Sequence, residues 1–329
     1  MEVIAVSDVL LSVAGLRKYF PIKGGLLRRT VNHVKAVDDV SFSLREGETL
    51  GLVGESGCGK STTGKVILRL LQADSGSVTF RGADLLSLKG EALRRARAGF
   101  QMIFQDPYAS LDPHMTIESI VGEPLTARGI GGSERRRRVA EVLEAVGLDS
   151  SCRSRFPFEF SGGQRQRVGI ARALAPEPSL IVADEPVSAL DVSVQAQVLN
   201  LMVEARKRFG LSYLFISHDL SVVRYISNRV AVMYLGRIVE IGEVGVGPSD
   251  FFTTPLHPYS RALLASVPEP DPFRHRTRVV LPGDVPSQID PPSGCSFHPR
   301  CAAAERICSE ETPPLREHGR GHWVACHLA

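Results

Sequence analysis

An α/β fold built on a parallel sheet is what this sequence predicts, on three observations. The stretch AVDDVSFSLREGETLGLVG, residues 36–54, reads as two β runs joined at the turn signal around Glu46 and Gly47, and the second run ends in a glycine-rich loop that opens a helical pattern. The apolar runs SLIVAD, from Ser179, and LSYLFIS, from Leu211, are short, bounded and unalternating, which fits strands buried on both faces. A helical pattern separates these two runs, as a parallel connection requires.

The elements follow in order. After the loop, KSTTGKVILRLLQ sets Val66, Leu70 and Leu71 at helical spacing, predicting a helix from Lys60 to Gln72 before the turn signal at Ser75 and Gly76. Residues from about Gln105 to Ser161 are mostly helical in pattern, with Val139, Val142, Leu143 and Val146 on one face. The helical segment that carries these three valines and one leucine opens with a basic run, Arg135 to Arg138, read as a solvated helix face. NRVAVMYLGRIVEIG reads as a hairpin around Gly236. Proline density then rises from Pro255 to Pro292, which places a domain boundary there: 8–254 for the main domain, with a helical subdomain at about 105–175, and 255–329 for a smaller extension.

Composition bounds the function classes. The chain has 329 residues, 43% hydrophobic and 23% charged, enough for one large domain and an appendage. A formal net charge of +3, with basic and acidic residues intermixed, gives no ground for a nucleic-acid partner. No apolar stretch approaches the roughly 18 residues of a membrane span, and the start lacks a basic n-region and a cleavage site, so the chain is expected to stay in the cytosol. No second glycine-rich loop of this strand-loop-helix kind occurs, so one such domain and no internal repeat are expected.

The loop itself is GESGCGKS, Gly54 to Ser61, the pattern G-x-x-x-x-G-K-S between a strand and a helix. Glycines at 54, 57 and 59 let backbone N–H groups turn toward a phosphate, Lys60 supplies a point charge for β/γ oxygens, and Ser61 a hydroxyl for magnesium. Glu55, Ser56, Cys58 and Thr62 complete the candidate ATP-binding stretch. The SLIVAD run ends in Asp184 and Glu185, adjacent carboxylates suited to holding a metal and to orienting or deprotonating a water. His218, after the next strand, is a candidate partner for the γ-phosphate. FSGGQRQR, from Phe160, opens a helix with Ser161 at a capping position and Gly162 and Gly163 next, a backbone nest for a second anion.

Taken together these motifs resemble the ABC ATPase family over roughly residues 10–245. The resemblance implies a P-loop NTPase core with an antiparallel β subdomain and an inserted helical subdomain. It also implies that Ser161, Gly162, Gly163 and Gln164 close over ATP bound to a second subunit. It gives Gln105 of MIFQDP the role of a glutamine touching magnesium and water, so that Ser61, Gln105 and Asp184 hold Mg2+ while Glu185, His218 and Gln105 serve hydrolysis. Ser188–Asp191 resembles the segment that crosses the subunit interface. Phe20 sits where the family stacks an aromatic ring on adenine, with Tyr19 as the neighbouring option.

PLHPYSRALLASVP, from Pro255, resembles the extension of the oligopeptide and dipeptide importer branch, read as a proline-started helix with Leu263 and Leu264 available for packing. Cys295, Cys301, Cys308 and Cys326 crowd the tail with five, six and seventeen residues between them, without the close pairs of a zinc ribbon. The same branch is similar in carrying a 4Fe-4S cluster, which the resemblance assigns to these four thiolates in a small metal-binding extension. A zinc site on the same thiolates, unligated thiols, and mixed ligation by His298, His318, His322 or His327 are the competing readings. The resemblance further implies a second ABC ATPase subunit, related rather than identical, two transmembrane permease subunits, an extracytoplasmic peptide-binding protein, and a place at the cytoplasmic face of the membrane. Nickel, glutathione and sugars are the cargoes of close relatives. A soluble ABC ATPase acting on ribosomes or DNA is the reading from another class.

Overall fold

The computed structural model describes residues 8–24, 29–245, 250–267, 281–319 and 321–329. In chain order the first elements are strands β1 (Val9–Gly24), β2 (Arg29–Arg45) and β3 (Thr49–Val53), helix α1 (Lys60–Ile67), strands β4 (Ser75–Phe80) and β5 (Ala83–Asp84), helix α2 (Gly90–Ala96) and strand β6 (Phe100–Ile103). Helices α3 (Ile117–Ala127), α4 (Gly132–Ala145) and α5 (Gly162–Leu174) follow, then β7 (Leu180–Asp184), α6 (Val192–Phe209), β8 (Ser212–Ile216) and α7 (Leu220–Ile226). The last are β9 (Arg229–Tyr234), β10 (Arg237–Glu243), α8 (Pro258–Ala265), α9 (Arg306–Glu310), β11 (Arg316–Glu317) and β12 (Trp323–Val324).

These elements fall into two compact units. One contains Leu44–Thr49 and Ser87–Ile216 with the described residues before Leu11. Its sheet is parallel: β6 pairs with β7 in the register Phe100↔Leu180, and β7 with β8 in the register Leu180↔Ser212. β7 and β8 are buried at every position, which is why their sequences are unbroken apolar runs. Beside them α3, α4 and α5 pack on one another. Val139, Val142, Leu143 and Val146 supply fully buried side chains to that packing.

The basic run at the start of α4 does more than face water. Arg137 is exposed and pairs with Glu141, but the Arg138 side chain is only 14% exposed. Its guanidinium donates to the carbonyls of Leu174 at 3.2 Å and Ala175 at 3.1 Å, at the C-terminal end of α5. A cation there satisfies carbonyls that the helix leaves open and complements its dipole.

The other unit contains the described residues of Leu11–Ser43, Leu50–Leu86 and Ser217–Ala329. One of its sheets has the order β2-β1-β4-β5, with β1–β4 and β4–β5 antiparallel. In the other, β3 runs parallel to β9, β9 and β10 form an antiparallel hairpin, and the terminal strands β12 and then β11 extend it. The hairpin turns at Leu235 and Gly236, with φ of 43° and 81°, the paired left-handed geometry that matches strand twist.

Two helices differ from the sequence expectation. α1 stops at Ile67 instead of Gln72, because Arg69 takes φ 57° and the N–H groups of Leu70 and Leu71 both return to the Lys65 carbonyl. Leu70 is left 49% exposed, while Ile67 and Leu68 fill the core. α8 starts at Pro258 rather than Pro255, capped by His257, whose Nδ1 accepts the Tyr259 N–H at 3.0 Å. It packs through Tyr259 and Ala262 rather than Leu263 and Leu264, which stay half-buried.

Candidate functional site

β3 is buried along its length and delivers the chain to Gly54, where φ is 152° and an added Cβ would lie 2.1 Å from the Met233 carbonyl oxygen. At Gly59, φ 107°, a Cβ would lie 2.0 Å from the Ala36 oxygen. The two glycines are thus required by close backbone approach. Gly59 is the N-cap of α1 and brings no side chain to its first N–H groups, the arrangement that offers a helix start to an anion. Lys60 is 4% exposed, and its Nζ donates to the carbonyls of Gly54 at 2.7 Å and Glu55 at 2.9 Å, so the charge is held over the loop. Cys58 fills space beneath the loop: burial pushes its thiol pKa up, and its Sγ lies 3.7 Å from Lys60 Nζ. Ser61 and Thr62 open α1 beside it.

Three side chains from outside the motif reach this loop, and sequence reasoning missed all of them. Tyr259 of α8 accepts the Glu55 N–H on its hydroxyl at 2.9 Å. Gln288 donates its amide to the Gly57 carbonyl at 2.8 Å. Arg300 pairs with the Glu55 carboxylate at 3.1 Å.

In the unit that holds β7, the strand ends at Asp184, 3% exposed, and the chain turns sharply at Glu185, φ 46°. A non-glycine residue held in left-handed geometry costs about 1–3 kcal/mol, and such strain collects at functional sites. The turn is fixed by the Glu185 N–H to the Ile216 carbonyl at 2.9 Å and by Ser188 Oγ to the Glu185 carbonyl at 3.1 Å. Gln105 Nε2 donates to Glu185 Oε2 at 2.8 Å, so the structure brings together two residues 80 positions apart that the sequence nominated separately. Asp191 closes the segment by capping α6 through the Val194 N–H at 3.0 Å.

Ser161 and Gln164 form a reciprocal capping box at the start of α5: Ser161 Oγ accepts the Gln164 N–H, and Gln164 Oε1 accepts the Ser161 N–H at 3.0 Å. A Cβ on Gly163 would meet Val194 Cγ1 at 2.5 Å, whereas Gly162 has room. Phe160 is buried, and Ser161 and Gln164 are exposed.

His218 is exposed just beyond β8, next to Asp219, which caps α7. Of the two aromatic options near the N-terminus, Tyr19 is committed elsewhere. Its hydroxyl donates to Asp38 Oδ1 at 2.6 Å, and burial, then that bond, push its pKa up to about 12. Phe20 is half-exposed, with Lys18 Nζ 5.5 Å from its ring centroid.

In the tail, the Cys295 N–H donates to the Cys308 carbonyl at 2.8 Å. Burial raises the Cys295 thiol pKa, opposed by a backbone hydrogen bond at Phe297, with Cys308, Cys326 and Cys301 adding to the rise. Among the described residues no three His, Cys, Asp or Glu side chains gather closely enough to hold one metal ion. Three of the histidines have other partners: His298 meets the Cys295 carbonyl, His322 meets Glu240, and His327 meets the Glu311 carbonyl.

The fold and these sites define a P-loop ATPase of the cassette type. The family described as "ABC transporter" matches residues 37–188, and that described as "Oligopeptide/dipeptide transporter, C-terminal region" matches residues 239–308. The chain is 53% identical over 325 residues to the oligopeptide transport ATP-binding protein AppF of Bacillus subtilis, covering 98% of both chains. It is 51% identical to the probable peptide ABC transporter ATP-binding protein y4tS of Sinorhizobium fredii, covering 98% of this chain and 90% of that one. Among solved structures, it resembles the dimeric post-hydrolysis state of the ATP-binding cassette MJ0796 bound to ADP and Pi, at 28% identity and TM-score 0.63, over 72% of this chain and 99% of that chain. The chain belongs to the ABC transporter ATP-binding subunits of the oligopeptide/dipeptide type. Among the described residues no helix is long and apolar enough to cross a membrane.

Proposed function

We propose that this chain binds and hydrolyses ATP to drive the import of di- or oligopeptides through an ABC transporter. The observation that carries the chemistry is the Gln105–Glu185 pair at 2.8 Å, set on a strained turn directly after buried Asp184. Lys60 and the first N–H groups of α1 take β- and γ-phosphate oxygens, and the aromatic face of Phe20 takes the adenine. Ser61, Gln105 and Asp184 offer a hydroxyl, an amide and a carboxylate, an all-oxygen set that suits Mg2+. The bound ion neutralises phosphate charge. Glu185 orients the attacking water and draws its proton, held in place by the Gln105 amide, and His218 faces the γ-phosphate.

The exposed capping box at Ser161–Gln164 is built to serve a second chain's nucleotide. The dimeric form of the MJ0796 cassette supports that reading. The partner is a related ABC ATPase subunit. Two permease subunits and an extracytoplasmic binding protein complete the transporter, with this chain at the cytoplasmic face of the membrane. The catalytic domain spans 8–254, with α3–α5 as the inserted helical subdomain at about 105–175, and 255–329 forms the extension. By resemblance to the importer branch, Cys295, Cys301, Cys308 and Cys326 would hold a 4Fe-4S cluster, of which four thiolates are the ordinary donor set.

Glu185→Gln should abolish turnover while retaining MgATP binding and should trap a closed dimer; unchanged hydrolysis by that variant would overturn the mechanism. Copurification with the permeases and stimulation of ATPase activity by peptide test the cargo, and stimulation by nickel or glutathione instead would replace it. Anaerobically purified protein should be brown, with about four irons per chain. Colourless protein with stoichiometric zinc would refute the cluster.

A further inference from the structure

We propose that the C-terminal extension is a strap across the phosphate loop, in which Arg300 acts as a positioning residue that keeps the Glu55 carboxylate from repelling the nucleotide's phosphates. This rests on the ATP-binding reading above and deepens it.

The strap holds the loop at two successive levels. Tyr259 fixes Glu55 by its backbone N–H, and Arg300 fixes it by its carboxylate, with Nη1 at 3.1 Å from Oε2 and 3.4 Å from Oε1 and Nη2 at 3.4 Å from Oε1. Gln288 fixes Gly57 by its carbonyl, and is itself anchored where its own carbonyl accepts the Lys35 N–H at 3.0 Å. A loop with three glycines in six residues has much backbone freedom to lose when it orders around a ligand. External anchors remove that freedom beforehand, so less binding energy is lost to ordering.

Charge makes the Arg300 contact more than an anchor. Glu55 lies inside the loop, so its carboxylate has the same sign as the triphosphate the loop receives. A like charge nearby disfavours a second anion, and an adjacent guanidinium cancels that effect. Arg300 is placed for this by its surroundings. It ends a short turn, His298–Arg300, directly after Phe297, whose buried ring packs 5.3 Å from Tyr234 and 5.5 Å from Tyr259. The guanidinium side chain is 8% exposed while Glu55 is 28% exposed, so the pair is shielded from water on the arginine side. Arg300 Nε has no hydrogen-bond partner among the described residues.

The test measures MgATP affinity by calorimetry on the full purified chain at neutral pH, with steady-state ATPase alongside. Arg300→Ala should weaken MgATP binding roughly tenfold, the scale of a neighbouring like charge, and should act on KM far more than on kcat. Glu55→Gln added to Arg300→Ala should recover most of the lost affinity, since the repelling charge is gone; a part that serves only folding would lose stability twice and recover nothing. Arg300→Lys should fall between. Should Arg300→Ala not fold, Gln288→Ala, half-exposed, carries the anchoring half of the test with about threefold weaker binding, and Arg300→Lys carries the charge half. MgATP affinity within twofold of the unaltered chain for Arg300→Ala and for Gln288→Ala, or no recovery in the double variant, overturns the strap. Failure of the unaltered chain to bind MgATP overturns the ATPase reading itself.

Discussion

Replacing Glu240 with Ala should destabilise the protein by about 3–5 kcal/mol. Glu240 lies on β10 and is fully buried. Its Oε1 accepts the Leu256 N–H at 2.7 Å and contacts His322 Nε2 at 2.6 Å, while its Oε2 accepts the His257 N–H at 2.9 Å. One carboxylate thus joins the hairpin, the entry to α8 and the loop before β12. Alanine orphans two backbone donors, each costing about 1–3 kcal/mol when buried, and strands His322 as well. The three losses share one pocket and one relaxation, so they sum to less than their separate values. Glu240→Gln keeps an acceptor oxygen and should lose about 1–2 kcal/mol. Urea unfolding reads the loss as a lower midpoint at unchanged slope, and hydrogen exchange at the Leu256 and His257 amides reads it locally. A loss under about 1 kcal/mol for Glu240→Ala, with both amides still protected, would refute the idea that this carboxylate holds the tail in place.

Two further outcomes follow from the same geometry. Burial lowers the His257 pKa from 6.5 to about 4, so the unfolded chain takes up this proton first on acidification. The stability it contributes is complete above pH 6.5 and falls by up to about 1.4 kcal/mol per pH unit down to about pH 4; His257→Asn, which keeps a capping side chain, should flatten that part of the stability profile. Gly163→Ala places a Cβ 2.5 Å from Val194 Cγ1 and should displace the start of α5, lowering ATPase activity of the paired subunits while MgATP binding in this chain's own loop persists; full ATPase activity would count against the role of that helix start.

What was legible in the sequence is what chemistry confines to a few consecutive residues. The loop from Gly54 to Ser61 must supply backbone donors, a cation and a hydroxyl within one turn, so its spacing is readable without a fold. The capping box of Ser161 and Gln164 and the unbroken burial of β7 and β8 are local in the same sense. Gln105 and Glu185 were each legible by motif, but their contact was not, because it joins the end of one strand to the end of its neighbour. Even local patterns failed where packing overrode propensity. KVILRLLQ favours a helix throughout, yet Arg69 turns left-handed to bury Ile67 and Leu68. Arg138 reads as one of four solvated arginines, and only the fold puts the end of α5 beneath it.

The strap lies at the far end of that scale. Its contacts join positions 204, 231 and 245 residues apart, through a tyrosine, a glutamine and an arginine with no local pattern of their own. Read alone, the segment from Pro255 shows a proline-started helix, and Glu55 is one position of the phosphate-loop pattern. The fold gives each the other's meaning. A carboxylate inside a phosphate loop is unfavourable for binding unless a cation is committed to it, and here that cation comes from the tail. The extension is therefore coupled to the nucleotide loop by charge as well as by packing, and a change that moves Arg300 should be read first in MgATP affinity.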